Sequence, residues 1–408
     1  MGFQVRRVVI SGLGIISSIG NNQNEVYDAL LNLKSGLTAS DEYKKFGLRS
    51  QVFGNIKLDE KALVERKKLR FMGQAAAFAY LSMKEAIHDA NLLPSDISHI
   101  KTGLIVGSGG SSNVDIVDSA DILRKHSIKR VGPYRVTRAM ASTTSACLAT
   151  VFKIKGTVFS VSSACATSAH CIGTACEQIQ MGKQDLMFAG GGEELHWSLS
   201  MLFDAMGALS SKYNQRPALA SRPFDADRDG FVISGGGGIL VLEELEHALA
   251  RGANIYAEIV GYGASSDGEN MVQPSKEGAI RCMKSAISQI NEPIEYVNAH
   301  GTSTQIGDIK ELEGLSVVFT QYKPAISSTK SLTGHSLGAA GVHESIYSLI
   351  MMKNNFITPT VNITNLIPEA KEHNIIQEVI KKPINIALSN SFGFGGVNAS
   401  LVFKNWQQ

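Results

Sequence analysis

Short apolar runs rich in β-branched residues, many ending in glycine, recur along the chain. They are RRVVISGLG from position 6, TGLIVGSGG from 102, DLMFAGGGEE from 185, GGILVLEELE from 237, AEIVGYGASSDG from 257 and INIALSNSFGFGGVN from 384. Runs of this length bounded by glycine predict buried strands. Between them RFMGQAAAFAYLSMKEAIHDANL and EGAIRCMKSAISQI carry the spacing of helices. Alternating strand and helix predicts an α/β fold with buried parallel strands. Two of the strand openings look alike, VVISGLG near residue 8 and AEIVGYG near residue 257. Each is an apolar strand running into G-x-G. Two related halves follow, 1–250 and 251–408, joined where ELEHALARGA reads as an amphipathic helix.

Composition narrows the class. With 408 residues, 44% hydrophobic and 19% charged, the chain can bury a large core. The formal net charge of +2 excludes a polyanion-binding surface as a whole, so any basic role must be local. No apolar run reaches the ~18 residues of a membrane helix. The start imitates a signal peptide, with two arginines before small and apolar residues, but it alternates like a strand and shows no A-x-A cleavage pattern. The Met1-Gly2 start has Arg6 where a myristoylation signal needs a hydroxyl. A cytoplasmic protein is expected.

The five cysteines are Cys147, Cys165, Cys171, Cys176 and Cys282. An odd count without C-x-x-C argues against both a disulfide frame and a structural zinc site. Cys165 stands apart, inside SSACATSAHCIG. Ser162 or Ser163 could cap a helix running to about Met181, with Cys165 in its first turn. There the helix dipole would favour a thiolate and lower its pKa. Small neighbours would let a carbonyl reach the sulfur. The plain alternative is a buried inert thiol, which is how the other four cysteines read.

YVNAHGTSTQIGD carries His300, and STKSLTGHSLGAAG carries His335 with Lys330 five residues before it. Both histidines fall in Gly/Ser/Thr loops after strand-like runs, where α/β folds place ligands. One nucleophile, two donors and a fixed charge are the parts needed to form a thioester, stabilise an enolate and join the two. NSFGFGGVN, 390 to 398, is a loop whose glycines let backbone N–H groups approach a ligand. The glycine strings at 190 to 192 and 235 to 238 fit neither nucleotide-binding fingerprint, so they read as strand packing. ERKKLR from 65 and RKHSIKRVGPYRVTR from 124 are basic. They lack the interleaved aromatics of a nucleic-acid surface.

Taken together, SACATSAHCIG, NAHGTST, STKSLTGHSLGAAG and SNSFGFGGVN resemble the β-ketoacyl-[acyl-carrier-protein] synthases, nearly end to end, and most of all the synthase I branch. The resemblance implies a thiolase-like fold: two related halves forming a five-layered α-β-α-β-α sandwich, in a homodimer. It implies decarboxylative condensation of malonyl and acyl thioesters held on acyl carrier protein, with no metal or other cofactor. Cys165 would be the acyl acceptor, and His300 and His335 would stabilise the enolate with support from Lys330. The amides of Cys165 and Phe394 would form the oxyanion hole, with Phe392 and Phe394 gating it. Thr302 and Thr304 would contact the pantetheine arm, and Phe203, Met206 and Phe231 the acyl pocket. Asp308 and Glu344 would support the site. The acidic carrier would dock on Arg66, Lys67, Arg70, Arg124, Lys125, Lys129 and Arg130. Val397 departs from the threonine usual in that loop. The rivals are a synthase II specificity, a coenzyme A-dependent relative and a non-catalytic chain-length partner; the last replaces the nucleophile that Cys165 retains.

Overall fold

The structure, a computed structural model, describes residues 5–110 and 112–407. The Met1-Gly2 start weighed above lies outside them. Eleven strands, taken in chain order, make one mixed sheet. They are β1 (Val8–Ile16), β2 (Thr102–Gly107), β3 (Val158–Phe159), β4 (Leu186–Glu193), β5 (Gly236–Glu244) and β6 (Ala257–Ser266). The second half continues with β7 (Tyr296–Asn298), β8 (Ala325–Ser327), β9 (Asn374–Ile375), β10 (Ile386–Gly393) and β11 (Val397–Asn405). The helices that matter to the site are α1 (Gln74–Asp89), α2 (Thr143–Phe152), α3 (Thr167–Gln180), α4 (Lys276–Ile287), α5 (Gln305–Val318) and α6 (Ala340–Asn354).

The strand order is β9-β8-β7-β10-β11-β6-β1-β5-β4-β2-β3. Counted outward from the β1/β6 junction, the two halves repeat. In the first, β1/β5 and β5/β4 pair antiparallel, then β4/β2 and β2/β3 pair parallel. In the second, β6/β11 and β11/β10 pair antiparallel, then β10/β7 and β7/β8 pair parallel. The expectation of buried parallel strands therefore needs correcting. Only the outer strands are parallel; the inner pairs are antiparallel, and of these β10 and β11 form a hairpin while the others join strands far apart in sequence. The halves touch through Val9↔Glu258 and Ile10↔Ala257. The connecting helix is Leu245–Ala250.

Helices α1 and α2 cover the outer face of the first half-sheet, and α4 with α5 cover the second. Between the half-sheets lie α3 and α6, packed on each other. The result is five layers, α-β-α-β-α. The middle layer is sealed from water, as shown by thirteen consecutive buried residues of α6 from Ala340 to Met352. Gly341 lets α3 and α6 cross closely, since a Cβ there would lie 2.6 Å from the Ala169 nitrogen. Among the glycines of 235–238, Gly237 lets β5 lie close on α1, since a Cβ there would come within 2.7 Å of the Phe78 backbone. The apolar run that follows Arg6 and Arg7 is the central strand β1, buried at every position.

Candidate active site

Both central helices begin where the two halves meet. Cys165 precedes α3 and His335 precedes α6. The expected serine cap is absent. Ala164–Ala166 form a 3₁₀ turn, neither serine caps it, and Ala166 is the residue before α3. Ala164 sits at φ +49, a left-handed conformation that costs energy without glycine and that surrounding contacts must hold. Cys165 is 9% exposed. The backbone N–H groups of Cys165 and Phe394 both point at its sulfur. Gly393 makes that approach possible, because a Cβ would come within 3.0 Å of the Ser163 oxygen and 3.2 Å of the Cys165 nitrogen.

The structure brings Cys165, His300 and His335 together: one donor atom from each lies within 4.8 Å of the other two. The two imidazoles meet edge to face, their centroids 5.2 Å apart. His300 is placed by α5, whose Glu311 accepts from the backbone N–H groups of His300 (2.9 Å) and Gly301 (2.8 Å). Asp308, one turn earlier, accepts from Ser303 at 3.1 Å and Phe224 at 2.9 Å, beside Arg228. His335 is held through its backbone, its N–H bonded to Val232 and its carbonyl to Ser234. Phe392 packs on the His300 ring and Phe231 on the His335 ring. Neither Nδ1 has a partner among the described residues. Buried hydrogen-bonding capacity left unused in this way is costly unless a ligand satisfies it.

Burial, then the Lys330 charge, holds both His300 and His335 well below the usual imidazole range, so the rings are neutral. Lys330 itself is buried and paired with Glu344. The expectation for Cys165 is reversed: burial outweighs Lys330 and the two amides and pushes the thiol up to about 12. The resting nucleophile is a thiol, and its proton must be taken up when it attacks. The donors of Cys165, His300 and His335 could also span a soft metal ion, but the Lys330 charge acting on all three opposes a cation.

A cavity of about 590 Å³ opens onto the three groups. Phe203, Phe231, Phe392 and Phe394 line it, as do Thr302 and Thr304, whose hydroxyls lie 3.0 Å apart. Met206 lines it at the rim, 51% exposed. Phe394 lies 6.2 Å from Phe203 across the opening.

Sequence reasoning missed two buried acids. Glu311 is one. Glu193 is the other: it ends β4 and accepts from Ser108 (2.7 Å), Gly109 (2.8 Å) and Gly338 (2.9 Å). Burial pushes its carboxyl up to about 7. A usable signal existed for Glu311: Asp308 and Glu311 share one face of a helix with Leu312 and Leu315, and all four are buried.

The two basic runs adjoin: Arg70 stacks on Phe71 and on Tyr134 at 4.6 and 5.1 Å. Arg66, Lys67, Lys129 and Arg130 are exposed. Arg124 and Lys125 share Asp121, while Arg135 and Arg138 are tied to buried Asp115. Part of the positive charge is thus already neutralised.

A two-half sandwich with a thiol and two neutral imidazoles at its seam defines a thiolase-like condensing enzyme. Residues 5–248 match the family described as "Beta-ketoacyl synthase, N-terminal domain", and residues 256–364 match "Beta-ketoacyl synthase, C-terminal domain"; the chain belongs to the β-ketoacyl synthase family. It is 59% identical over 402 residues to 3-oxoacyl-[acyl-carrier-protein] synthase 1 of Escherichia coli K12, covering 98% of this chain and 99% of that protein. A β-ketoacyl synthase from Burkholderia phymatum superposes with a TM-score of 0.93 at 37% identity, covering 98% of this chain and all of that one. A type II polyketide ketosynthase, solved with its acyl-carrier protein and bound to the hexaketide, gives 0.88 at 30% identity, over 99% of this chain and 100% of that one. No helix among the described residues is long and apolar enough to cross a membrane.

Proposed function

We propose that this condensing enzyme elongates fatty acyl chains by two carbons, with Cys165, His300 and His335 as its catalytic residues. First, the Cys165 sulfur attacks the carbonyl of an acyl thioester. Its proton passes to a neighbouring imidazole, and the arriving thiol leaves with that proton. The amides of Cys165 and Phe394 hold the oxyanion. Malonyl thioester then binds. Its carbon–carboxylate bond breaks, CO2 departs, and the electron pair enters an enolate whose oxygen accepts from His300 and His335. The enolate carbon attacks the Cys165-bound acyl carbonyl, the carbon–sulfur bond breaks, and the thiolate takes up a proton from solvent, since the first one left with the departing thiol. Burial, reinforced by Lys330, keeps both rings neutral, and Glu344 balances the lysine charge. Loss of CO2 supplies the carbanion, so the chemistry calls on no resident metal or other cofactor.

The substrates are malonyl and acyl groups on acyl carrier protein. Supporting this are the related ketosynthase solved with its carrier and the exposed Arg66, Lys67, Lys129 and Arg130 beside Arg70, Arg124 and Lys125. Thr302 and Thr304 would meet the pantetheine arm as it enters. The 59% identity to a synthase 1 over nearly the whole chain favours that specificity over synthase 2, and the retained Cys165 disfavours a chain-length partner. We take the working form to be a cytoplasmic homodimer.

The observation that carries this reading is the meeting of the thiol and two neutral imidazoles on one cavity. Incubation with an acyl-carrier thioester should leave an acyl adduct on Cys165, read by peptide mass. Adding malonyl carrier should release a 3-oxoacyl product two carbons longer. An unmodified Cys165 refutes the assignment. Competition between saturated and cis-unsaturated acyl carriers would then define the range.

A further inference from the structure

The two central helices start with the same spacing. Ser163, Cys165 and His170 in SACATSAH correspond to Ser336, Gly338 and His343 in SLGAAGVH. In each, the serine hydroxyl bonds the Nδ1 of the histidine seven residues on, at 2.7 Å in the first half and 2.9 Å in the second. In each, the residue after that serine takes a left-handed conformation, Ala164 at φ +49 and Leu337 at φ +48.

The histidines then reach across the seam. His343 of the second half bonds the carbonyl of Gly237, the second residue of β5, at 3.1 Å. The ring of His170 in the first half lies against the carbonyls of Ala166 and of Asn398, the second residue of β11. Strands β5 and β11 are equivalents in the repeat, so the two contacts are reciprocal. Burial keeps both rings neutral. A neutral His343 ring donating from Nε2 to Gly237 must accept at Nδ1, so the Ser336 hydroxyl donates.

Each contact steadies a different half of the chemistry. The β10/β11 hairpin supplies the Phe394 N–H that points at Cys165, and His170 ties that hairpin to the Cys165 turn. The strand leading into β5 holds His335 through Val232 and Ser234, and His343 ties it to the turn that follows His335. We infer that Ser163–His170 and Ser336–His343 are reciprocal clasps: positioning residues that set the oxyanion hole in one half and the enolate donor in the other. The inference rests on the functional reading above.

The test uses the full-length protein and two half-reactions: acyl transfer to Cys165, and CO2 release from malonyl carrier protein. Ser163→Ala should slow acyl transfer about tenfold or more, since small misplacements in a site are costly, and leave CO2 release within about twofold. Ser336→Ala should do the reverse. Ser163→Thr and Ser336→Thr, which keep the hydroxyl, should restore the parent rates. His170→Gln and His343→Gln should repeat the crossed pattern. Loss of both rates together in step with the melting temperature overturns the inference, as does no change in either rate or an effect from only one clasp. Failure of the parent protein in either half-reaction would instead overturn the functional reading, so the two are judged separately.

Discussion

Replacing His300 with alanine separates the two chemical steps. The backbone at that position is fixed by Glu311 through the His300 and Gly301 amides, so the loop should keep its shape when the ring is gone. What disappears is one of two N–H donors facing the enolate oxygen. The ring carries no charge, because burial and Lys330 hold it neutral, so the field at Cys165 changes little. One aimed donor in a water-poor site is worth about 2.7–4 kcal/mol, or about 10²–10³ in rate. CO2 release from malonyl carrier should fall by that factor. Acyl transfer to Cys165 relies on the amides of Cys165 and Phe394, with His335 still available for the proton. It should stay within about threefold, a change of about 0.65 kcal/mol. The assays are radiolabelled CO2 capture and the rate of adduct formation by intact mass. An equal fall in both would mean that the ring serves the thiol as much as the enolate, and the division of labour would be wrong.

The remaining expectations concern charge. Both imidazoles titrate well below 6.5, so the neutral donors persist as pH falls. The rings themselves should therefore not titrate between about pH 8 and about pH 6, and NMR shifts of His300 or His335 with a midpoint near an unperturbed histidine would contradict this. Lys330→Met would leave Glu344 buried without its partner, costing about 3–5 kcal/mol of stability at neutral pH. Burial already holds the Glu344 carboxyl raised, at about 7. An acid whose folded pKa exceeds its unfolded value is stabilised by taking a proton, so the loss should shrink as pH falls below 7. Urea midpoints at two pH values measure it, and a loss that grows on acidification would refute the pairing argument.

Much of the architecture is legible in residue order, and for identifiable reasons. VVISGLG and AEIVGYG announce a repeat because they become β1 and β6, the equivalent strands at the junction. Their pairing is not legible: nothing in an apolar run distinguishes a hairpin return from a helical crossover. The nucleophile is legible from its small neighbours, but not its turn. A left-handed Ala164 carries no glycine to mark it. Nor is the thiol's protonation legible, since that depends on burial by Gly393 and Phe394, more than 200 residues away. The acids fail for a related reason. Glu311 and Glu193 work by accepting from backbone amides, and a sequence shows where acids are but not which amides will face them.

The repeat also explains why one seam serves two reactions. The position equivalent to Cys165 is Gly338, whose amide donates to Glu193, the acid that also binds Ser108 and Gly109. The same strained turn at the head of the same buried helix therefore presents a sulfur in one half and an anchoring amide in the other. A second thiol at Gly338 could not fit: its Cβ would lie 2.2 Å from the Gly109 nitrogen. The second half instead offers His335, just ahead of its turn. With one turn bearing the nucleophile and the other following the imidazole, the pseudo-symmetric frame lays electrophile and carbanion against each other at its own axis. The asymmetry of the chemistry thus comes from a few side chains placed on a nearly symmetric frame.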